Sequence, residues 1–202
     1  MATHEPSARD VILGKLREKR VPRPTDYPLP GIVTLGDMDR SVKRFEDALQ
    51  LLGGDIWAPQ SGETLEDAVR RKFPDAGSIC SATDEFKGTL KITDLKTLQE
   101  ADKVDVMVVR SPFGIAEMGS IFLSEVELHD HLADVHLAQH LIVLLSRTAL
   151  TANMHTAYQE RQEFKTAGYG VLMSGPSATA DIQGVLIRGA QGVRSLTVIW
   201  TD

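Results

Sequence analysis

The segment Gly114–Ser120 places one carboxylate, Glu117, close to two glycines and shortly after an apolar run. Its neighbours Ala116 and Met118 are apolar, and burial among apolar groups raises the pKa of a carboxyl group. A glutamate with a raised pKa can act as a general base, and a carboxylate can act as a nucleophile. Glu117 is therefore the candidate catalytic residue, although an ordinary solvent-exposed loop glutamate fits the same spacing.

A second candidate is the loop between an apolar run and a helical pattern near the end of the sequence. Gly175 and Pro176 shape a tight exit from the predicted strand, and Ser177 is a good N-cap for the helix that should follow. The free N–H groups and dipole of a helix N-terminus favour an anion. The residues predicted to bind ligand here are Ser174, Gly175, Pro176, Ser177, Thr179 and Asp181.

The same loop also fits a purely structural role. Ser177 would then only cap the helix, and Asp181 would only complement its dipole. Neither a GxGxxG nor a Walker pattern is present, so no motif supports NAD or ATP binding.

Two arginines, Arg110 and Arg147, each end a predicted buried strand. Both would reach the crevice at the carboxyl ends of the strands and could neutralise an anionic ligand there. Surface arginines that lie at strand ends and bind no ligand would occupy the same positions in the sequence.

Histidines cluster in the stretch HDHLADVHLAQH, from His129 to His140. No HExxH pattern is present, and the apolar run after His140 predicts a strand rather than a continuing helix. The spacing therefore predicts no metal site. The single cysteine, Cys80, stands in a short predicted strand and is expected to be a small buried apolar residue.

Apolar runs that alternate with helical patterns must position these groups, and they predict an open, largely parallel α/β sheet flanked by helices. The strands are predicted at Asp55–Ala58, Ser78–Ser81, Val104–Val109, Ile121–Leu123, His140–Leu145, Tyr169–Met173 and Leu196–Trp200. The helices are predicted at Ser7–Arg20, Arg40–Leu52, Thr64–Phe73, Leu128–Val135, Asn153–Thr166 and after Ser177, with a helical turn or two at Leu95–Ala101. Asp39 is the expected N-cap of the second helix, and Thr64 with Asp67 fits a capping box for the third. Residues 84–93 fit a hairpin or a loop equally well.

Residues 1–36 are predicted to form an N-terminal helix and a Pro-rich linker, because VPRPTDYPLPG holds four prolines and cannot be helical. Residues 37–202 would form the α/β domain. The formal net charge of −6 disfavours nucleic-acid binding. A start without an apolar signal core, short apolar runs and one cysteine predict a cytoplasmic protein without a membrane span.

Four stretches carry a resemblance to a known family. They are RFEDALQLLGGDIW, VDVMVVRSPFGIAEMGSIFL, LADVHLAQHLIVLL and MSGPSATADIQGVLIRGAQGVRSLTVIW. In this order they resemble the LUD domain proteins of the lactate utilization protein C (LutC/YkgG) type. The family's glycine-flanked glutamate corresponds to Glu117 with Gly119, and its GPS loop corresponds to Gly175–Ser177 with Thr179 and Asp181.

The resemblance implies a fold similar to the NagB/RpiA/CoA-transferase group and a role in oxidising lactate to pyruvate. Iron–sulfur clusters would then lie on partner subunits, because one cysteine cannot hold a cluster and this chain is expected to bind no cofactor. The sequence departs from the family pattern at Met118, Ala178 and Gln183, where threonine, arginine and glutamate are expected. The missing arginine and acid weaken the case for ligand chemistry at the GPS loop.

Three functions follow as hypotheses. The first is an accessory subunit of an L-lactate oxidation system, which acts with iron–sulfur partners and binds a small carboxylate or another anion. The second is an enzyme in its own right, by analogy of fold, which transfers acyl-CoA groups through Glu117 or acts on a sugar phosphate. The third is a non-catalytic interaction module.

Overall fold

The computed structural model describes residues 7–20, 38–180 and 184–201. The chain divides into two compact units, Met1–Ile32 and Val33–Asp202. The first contains helix α1 (Ala8–Glu18), which Ser7 caps by accepting a hydrogen bond from the Asp10 N–H. This confirms the predicted N-terminal helix, whereas the predicted Pro-rich linker lies outside the described residues.

A six-stranded, wholly parallel sheet forms the centre of the second unit. Its strands are β1 (Asp55–Trp57), β2 (Ile79–Ser81), β3 (Leu90–Lys91), β4 (Val106–Arg110), β7 (His140–Leu145) and β12 (Ser195–Trp200). They lie in the order β1-β12-β7-β4-β2-β3, and every neighbouring pair is parallel. The predicted open parallel α/β sheet is confirmed.

A second, four-stranded sheet begins where β4 and β7 end. Its strands are β5 (Gly114–Ile115), β6 (Ser120–Ser124), β8 (Leu150–Thr151) and β9 (Gly170–Met173). They lie in the order β8-β5-β6-β9. The predicted strand at Tyr169–Met173 thus belongs to this sheet as β9 and not to the central one. Strands β10 (Ala178–Thr179) and β11 (Ile187–Arg188) form a separate antiparallel ribbon.

The helices of the second unit are short. They are α2 (Val42–Leu51), α3 (Leu65–Lys72), α4 (Leu98–Ala101), α5 (Glu125–Leu128), α6 (Met154–Glu160) and α7 (Glu163–Thr166). Thr64 caps α3 as predicted, but α2 is capped by Ser41 and not by Asp39. The helix predicted at Asn153–Thr166 is divided into α6 and α7, and the one predicted at Leu128–Val135 is a series of 3-10 turns.

The central sheet is buried on both faces, which explains the continuous apolar character of its strands. On one face, Phe45 and Leu49 of α2 and Ile121 of β6 pack against alternate residues of β4, β7 and β12. On the other face, α3 and Phe86 cover the remaining residues of those strands. The outer face of the second sheet packs under α6 and α7. Within residues 7–20, 38–180 and 184–201, no helix is long and apolar enough to cross a membrane.

Candidate functional site

Glu117 lies in the turn Ala116–Gly119, which joins β5 to β6. Its backbone N–H donates to the carbonyl of Ala152 at 2.9 Å, but its side chain is exposed to solvent. Met118 beside it is 38% exposed. The apolar environment predicted for this carboxylate is therefore wrong, and a catalytic role for Glu117 remains a prediction without a buried setting to support it.

Gly119 lets this turn pack closely against helix α2. Its φ is +57°, in the left-handed region that favours glycine. A Cβ atom at this position would lie 2.2 Å from the backbone nitrogen of Leu49. Gly119 is therefore explained by packing, whether or not it also contacts a ligand.

The GPS loop lies beside this turn. The hydroxyl groups of Ser174 and Ser120 are hydrogen-bonded at 2.5 Å. Gly175, at a φ of +87°, lies so close to the end of α2 that an added Cβ would be 2.7 Å from the carbonyl oxygen of Leu52. The Glu117 turn and the GPS loop, which are far apart in sequence, thus meet on the C-terminal end of α2.

The structure after Ser177 is a ribbon strand and not the predicted helix. The Ser177 N–H donates to Val193 at 3.0 Å, and the Ser177 carbonyl accepts from the Gly189 N–H at 2.9 Å. Thr179, which is half-buried, pairs with Ile187 across the ribbon. The prediction of a helix starting here is wrong because β10 and β11 use the backbone groups of this segment for strand pairing.

The predicted anion site depended on a helix N-terminus, so its electrostatic basis is absent from the described part of this loop. Asp181 lies outside the described residues. Ser174, Gly175, Pro176, Ser177 and Thr179 remain predicted ligand contacts. The Ser174 hydroxyl and the backbone of Ser177 are hydrogen-bonded to other parts of the protein.

Arg110 binds another protein side chain at the carboxyl edge of the central sheet. Its guanidinium forms a two-point ion pair with Glu85, in which Nε donates to Oε1 at 2.7 Å and Nη2 donates to Oε2. Nη1 also donates to the Thr201 hydroxyl at 3.1 Å. This arginine therefore holds the loop that follows β2.

Arg147 lies on the other face of the same edge. Its guanidinium is 5.6 Å from the centre of the Trp200 ring, and Trp200 packs with Phe45 of α2. Arg110 continues the alternation of Val106 and Val108, which face α3. The two arginines thus lie toward opposite faces of the sheet, and the structure does not bring them together as predicted.

The histidine-rich stretch forms separate local contacts. His131 Nδ1 lies 2.7 Å from Asp134, and His140 Nδ1 lies 2.8 Å from the Ser195 hydroxyl. Burial lowers the pKa of His136, and burial is also the main cause of the lowered pKa of His140. In the described ranges, no three His, Cys, Asp or Glu side chains converge in a way that could hold a metal ion.

Cys80 is wholly buried in β2, as predicted. Burial raises the pKa of its thiol to about 12, with smaller contributions from Asp94 and Asp134. We expect the native thiol to resist Ellman's reagent at pH 8, since about one thiol in ten thousand would be ionised. Unfolding in guanidinium should release one reactive thiol per chain.

The sign of the pH effect follows from the same burial. The folded state disfavours the thiolate, so the contribution of Cys80 to stability is complete below its unfolded pKa and is lost as the pH rises from there towards 12. Rapid labelling of the folded protein at pH 8 would contradict this account.

A cavity of about 760 Å³, which the sequence did not predict, lies at the carboxyl ends of β2 and β3. It is lined by parts of residues 81–94, together with Glu127 and His129. Among the described residues, its lining includes neither Glu117 nor Ser174–Thr179. The signal that could have found it is the rule that ligands bind beyond the carboxyl ends of parallel strands.

Comparisons with known proteins agree with this architecture. A crystal structure of a DUF162 family protein from Deinococcus radiodurans is similar to this chain, with a TM-score of 0.59 and 14% sequence identity. The similarity covers 80% of this chain and 96% of that one. At so low an identity it shows a shared fold. No curated protein matches the sequence significantly.

The family assignment comes from the sequence of the central and C-terminal strands. The match to the LUD domain spans residues 79–200, from the start of β2 to the end of β12. It therefore includes five of the six strands of the central sheet and the whole of the second sheet. This chain belongs to the LUD domain family, which is linked to lactate utilization.

Proposed function

We propose that this chain is an accessory subunit, of the lactate utilization protein C type, in a system that oxidises L-lactate to pyruvate. The observation that carries the proposal is the LUD domain match over residues 79–200. The oxidation needs an acceptor for two electrons, and a chain with one buried cysteine cannot hold an iron–sulfur cluster by itself. Electron transfer would therefore take place on iron–sulfur partner proteins.

The geometry of the candidate residues supports an accessory role. Glu117 is exposed on a turn. The Arg110 guanidinium forms an ion pair with Glu85, and the Ser174 hydroxyl is hydrogen-bonded to the Ser120 hydroxyl. The Arg110–Glu85 pair fixes the loop after β2 to β4, and the Ser174–Ser120 hydrogen bond joins the GPS loop to the start of β6. A small carboxylate could still bind near them, and association with the partners could complete such a site.

The proposal is tested by deleting the gene from the organism that carries it and measuring growth on L-lactate. We expect growth on lactate to be lost and growth on glucose to be unchanged, and the wild-type gene should restore growth on lactate. Copurification of the tagged protein with iron–sulfur subunits would identify the partners. Unaffected growth on lactate after deletion would contradict the proposal.

Glu117→Gln separates an accessory role from catalysis by this carboxylate. The side chain is exposed and no hydrogen bond of its carboxylate is seen in the described part of the chain, so we expect less than about 0.5 kcal/mol of destabilisation. Complementation with this variant should restore growth on lactate to the wild-type rate. Folding measured by circular dichroism is the control, and a folded E117Q protein that fails to complement would favour catalysis.

The acyl-CoA transferase alternative makes a separate chemical prediction. Such an enzyme forms a thioester between the glutamate carboxyl and CoA, which borohydride reduces and hydroxylamine cleaves. The protein would be incubated with acetyl-CoA and succinyl-CoA, treated with either reagent and digested for mass spectrometry. We expect the peptide that contains Glu117 to be unmodified, and a modified Glu117 would support the enzyme.

An interaction module is the third possibility, and one observation favours it. Leu51 and Leu52, at the end of α2, are 86% and 49% exposed, and Met118 is also exposed. Apolar side chains exposed beside the candidate loops are typical of association surfaces. This function is compatible with an accessory subunit and differs from it in needing no bound ligand.

A further inference from the structure

The cavity beyond β2 and β3 has the position and size of a ligand site. Its volume is about 760 Å³, within the range of about 300–1,000 Å³ that is usual for pockets that bind drug-sized ligands. It lies at the carboxyl edge of a parallel sheet, where ligands of α/β proteins bind. A three-carbon acid such as lactate would fill only a small part of it.

The wall formed by the loop after β2 is held in place without a ligand. The Ser81 hydroxyl lies 2.8 Å from the Phe86 carbonyl oxygen and accepts from the Thr83 N–H at 3.2 Å. Glu66 of α3 accepts from the Lys87 N–H at 2.9 Å. The ion pair between Glu85 and Arg110 fixes the same loop to β4. A wall built in this way is preorganised, which lowers the entropic cost of binding.

Two cations of the cavity lining have no partner in the part of the chain that the structure describes. Neither the Lys87 nor the Lys91 ammonium group makes an ion pair or a hydrogen bond there. The lining also holds three acids, and two of them accept hydrogen bonds from backbone N–H groups. Asp94 accepts from the Lys91 N–H at 2.8 Å, and Glu127 accepts from the Ser124 N–H at 3.2 Å.

The floor of the cavity is apolar. Phe86 and Ile92 are buried beneath it, and Leu90 is partly buried. The third lining acid, Asp84, is exposed on the rim, and in the described chain no backbone N–H donates a hydrogen bond to its carboxylate. A lining that combines buried apolar residues with two lysines fits a molecule that has an apolar or planar body and an anionic group.

The opposite wall carries a strained residue. His129 has a φ of 50° and a ψ of −129°, a conformation that costs free energy for any residue with a Cβ atom. It is the only non-glycine residue with a positive φ in the described chain. Strain of this kind concentrates at functional sites, and His129 lines the cavity.

We propose that this cavity binds an organic anion larger than lactate, with its apolar body on the Phe86–Ile92 floor and its phosphate or carboxylate group against Lys87 and Lys91. The site is separate from the Glu117 turn and the GPS loop. The proposal does not depend on the role in lactate oxidation.

Calorimetric titration of the whole protein tests it, with ADP as the phosphate-bearing probe and 2-naphthoate as the carboxylate-bearing probe. At least one probe should bind with a Kd below about 1 mM, and the stronger of the two identifies the anionic group. The double variant K87Q/K91Q should weaken that binding at least about tenfold, because it removes both charges that face the anion. Binding of neither probe would overturn the proposal.

A matched control removes the same charge elsewhere. K103Q/K165Q replaces two exposed lysines outside the cavity lining, and it should leave the Kd within about twofold of wild type. Equal weakening by both double variants would show non-specific attraction and overturn the site.

His129→Gly tests the opposite wall and distinguishes binding from folding. Glycine relieves the positive-φ strain, so the midpoint of thermal unfolding should rise by roughly 2–4 °C. The same variant removes a side chain from the cavity lining and should weaken probe binding several-fold. Unchanged affinity in this more stable variant would contradict the proposed position of the ligand.

Discussion

Replacing Gly119 with alanine is expected to destabilise the protein by about 3 kcal/mol or more. The new Cβ would stand 2.2 Å from the nitrogen and 2.5 Å from the Cα of Leu49, which are backbone atoms that a rotamer change cannot move. The positive φ of this residue adds strain. Equilibrium unfolding in urea measures the loss directly.

Gly62→Ala is the matched control. Gly62 has a φ of +80° but nothing within 4 Å of an added Cβ, so this variant should lose only about 1–2 kcal/mol from backbone strain. The difference between the two variants isolates the contact between the turn and α2. Equal losses would show that this contact contributes nothing beyond the backbone conformation.

Gly119→Ala should also impair function. If the turn moves away from α2, the bond between Ser120 and Ser174 is disturbed and the GPS loop loses a contact. We therefore expect G119A to fail in complementing growth on lactate, where E117Q succeeds. This pair of results would show that the turn acts through its position and not through its carboxylate.

Phe113→Ala is expected to cost about 3–5 kcal/mol, a large part of the stability of an ordinary domain. Phe113 is fully buried where the chain leaves β4 for the second sheet. Its ring stacks on Phe122 with centroids 4.9 Å apart, and it contacts Phe164 edge-on at 5.6 Å. The guanidinium of Arg161 lies 4.6 Å from its centre.

Phe113→Leu is the control, because it keeps most of the volume but loses the ring. We expect it to cost about 1–2 kcal/mol, from the aromatic stacking and the contact with Arg161. Urea unfolding of both variants gives the comparison. If leucine cost as much as alanine, the ring contacts and not the filled volume would dominate at this position.

The sequence predicted the central sheet well because its strands carry a strong local signal. His140–Leu145 is apolar at almost every position, and a strand buried on both faces requires that. The helix cap at Thr64 was predicted for a similar reason, since Thr64 and Asp67 satisfy each other within one turn. Both features are determined by residues that are neighbours in sequence.

The errors lie where distant contacts decide the structure. Residues after Ser177 have a helical pattern, yet the strand pairing between Ala178 and Arg188 prevails over it. Arg110 was predicted to bind an anion, and its actual partner, Glu85, is 25 residues away in sequence. No local pattern shows which acid an arginine will meet.

The cavity was missed because its parts are individually ordinary. Lys87 and Lys91 belong to residues 84–93, whose pattern did not distinguish a hairpin from a loop. The pairing of Leu90–Lys91 with β2 is what places that stretch beside the cavity. The strain at His129 has no signal in the sequence at all.

The position of β12 in the central sheet has a consequence for biosynthesis. This strand lies between β1 and β7 and pairs with both, so β1 has no sheet neighbour until Ser195–Trp200 has left the ribosome. Parallel pairing over such a separation is slow to form. The central sheet can therefore be completed only after β12 has been translated, and until then the edges of β1 and β7 that β12 covers stay open to non-native pairing.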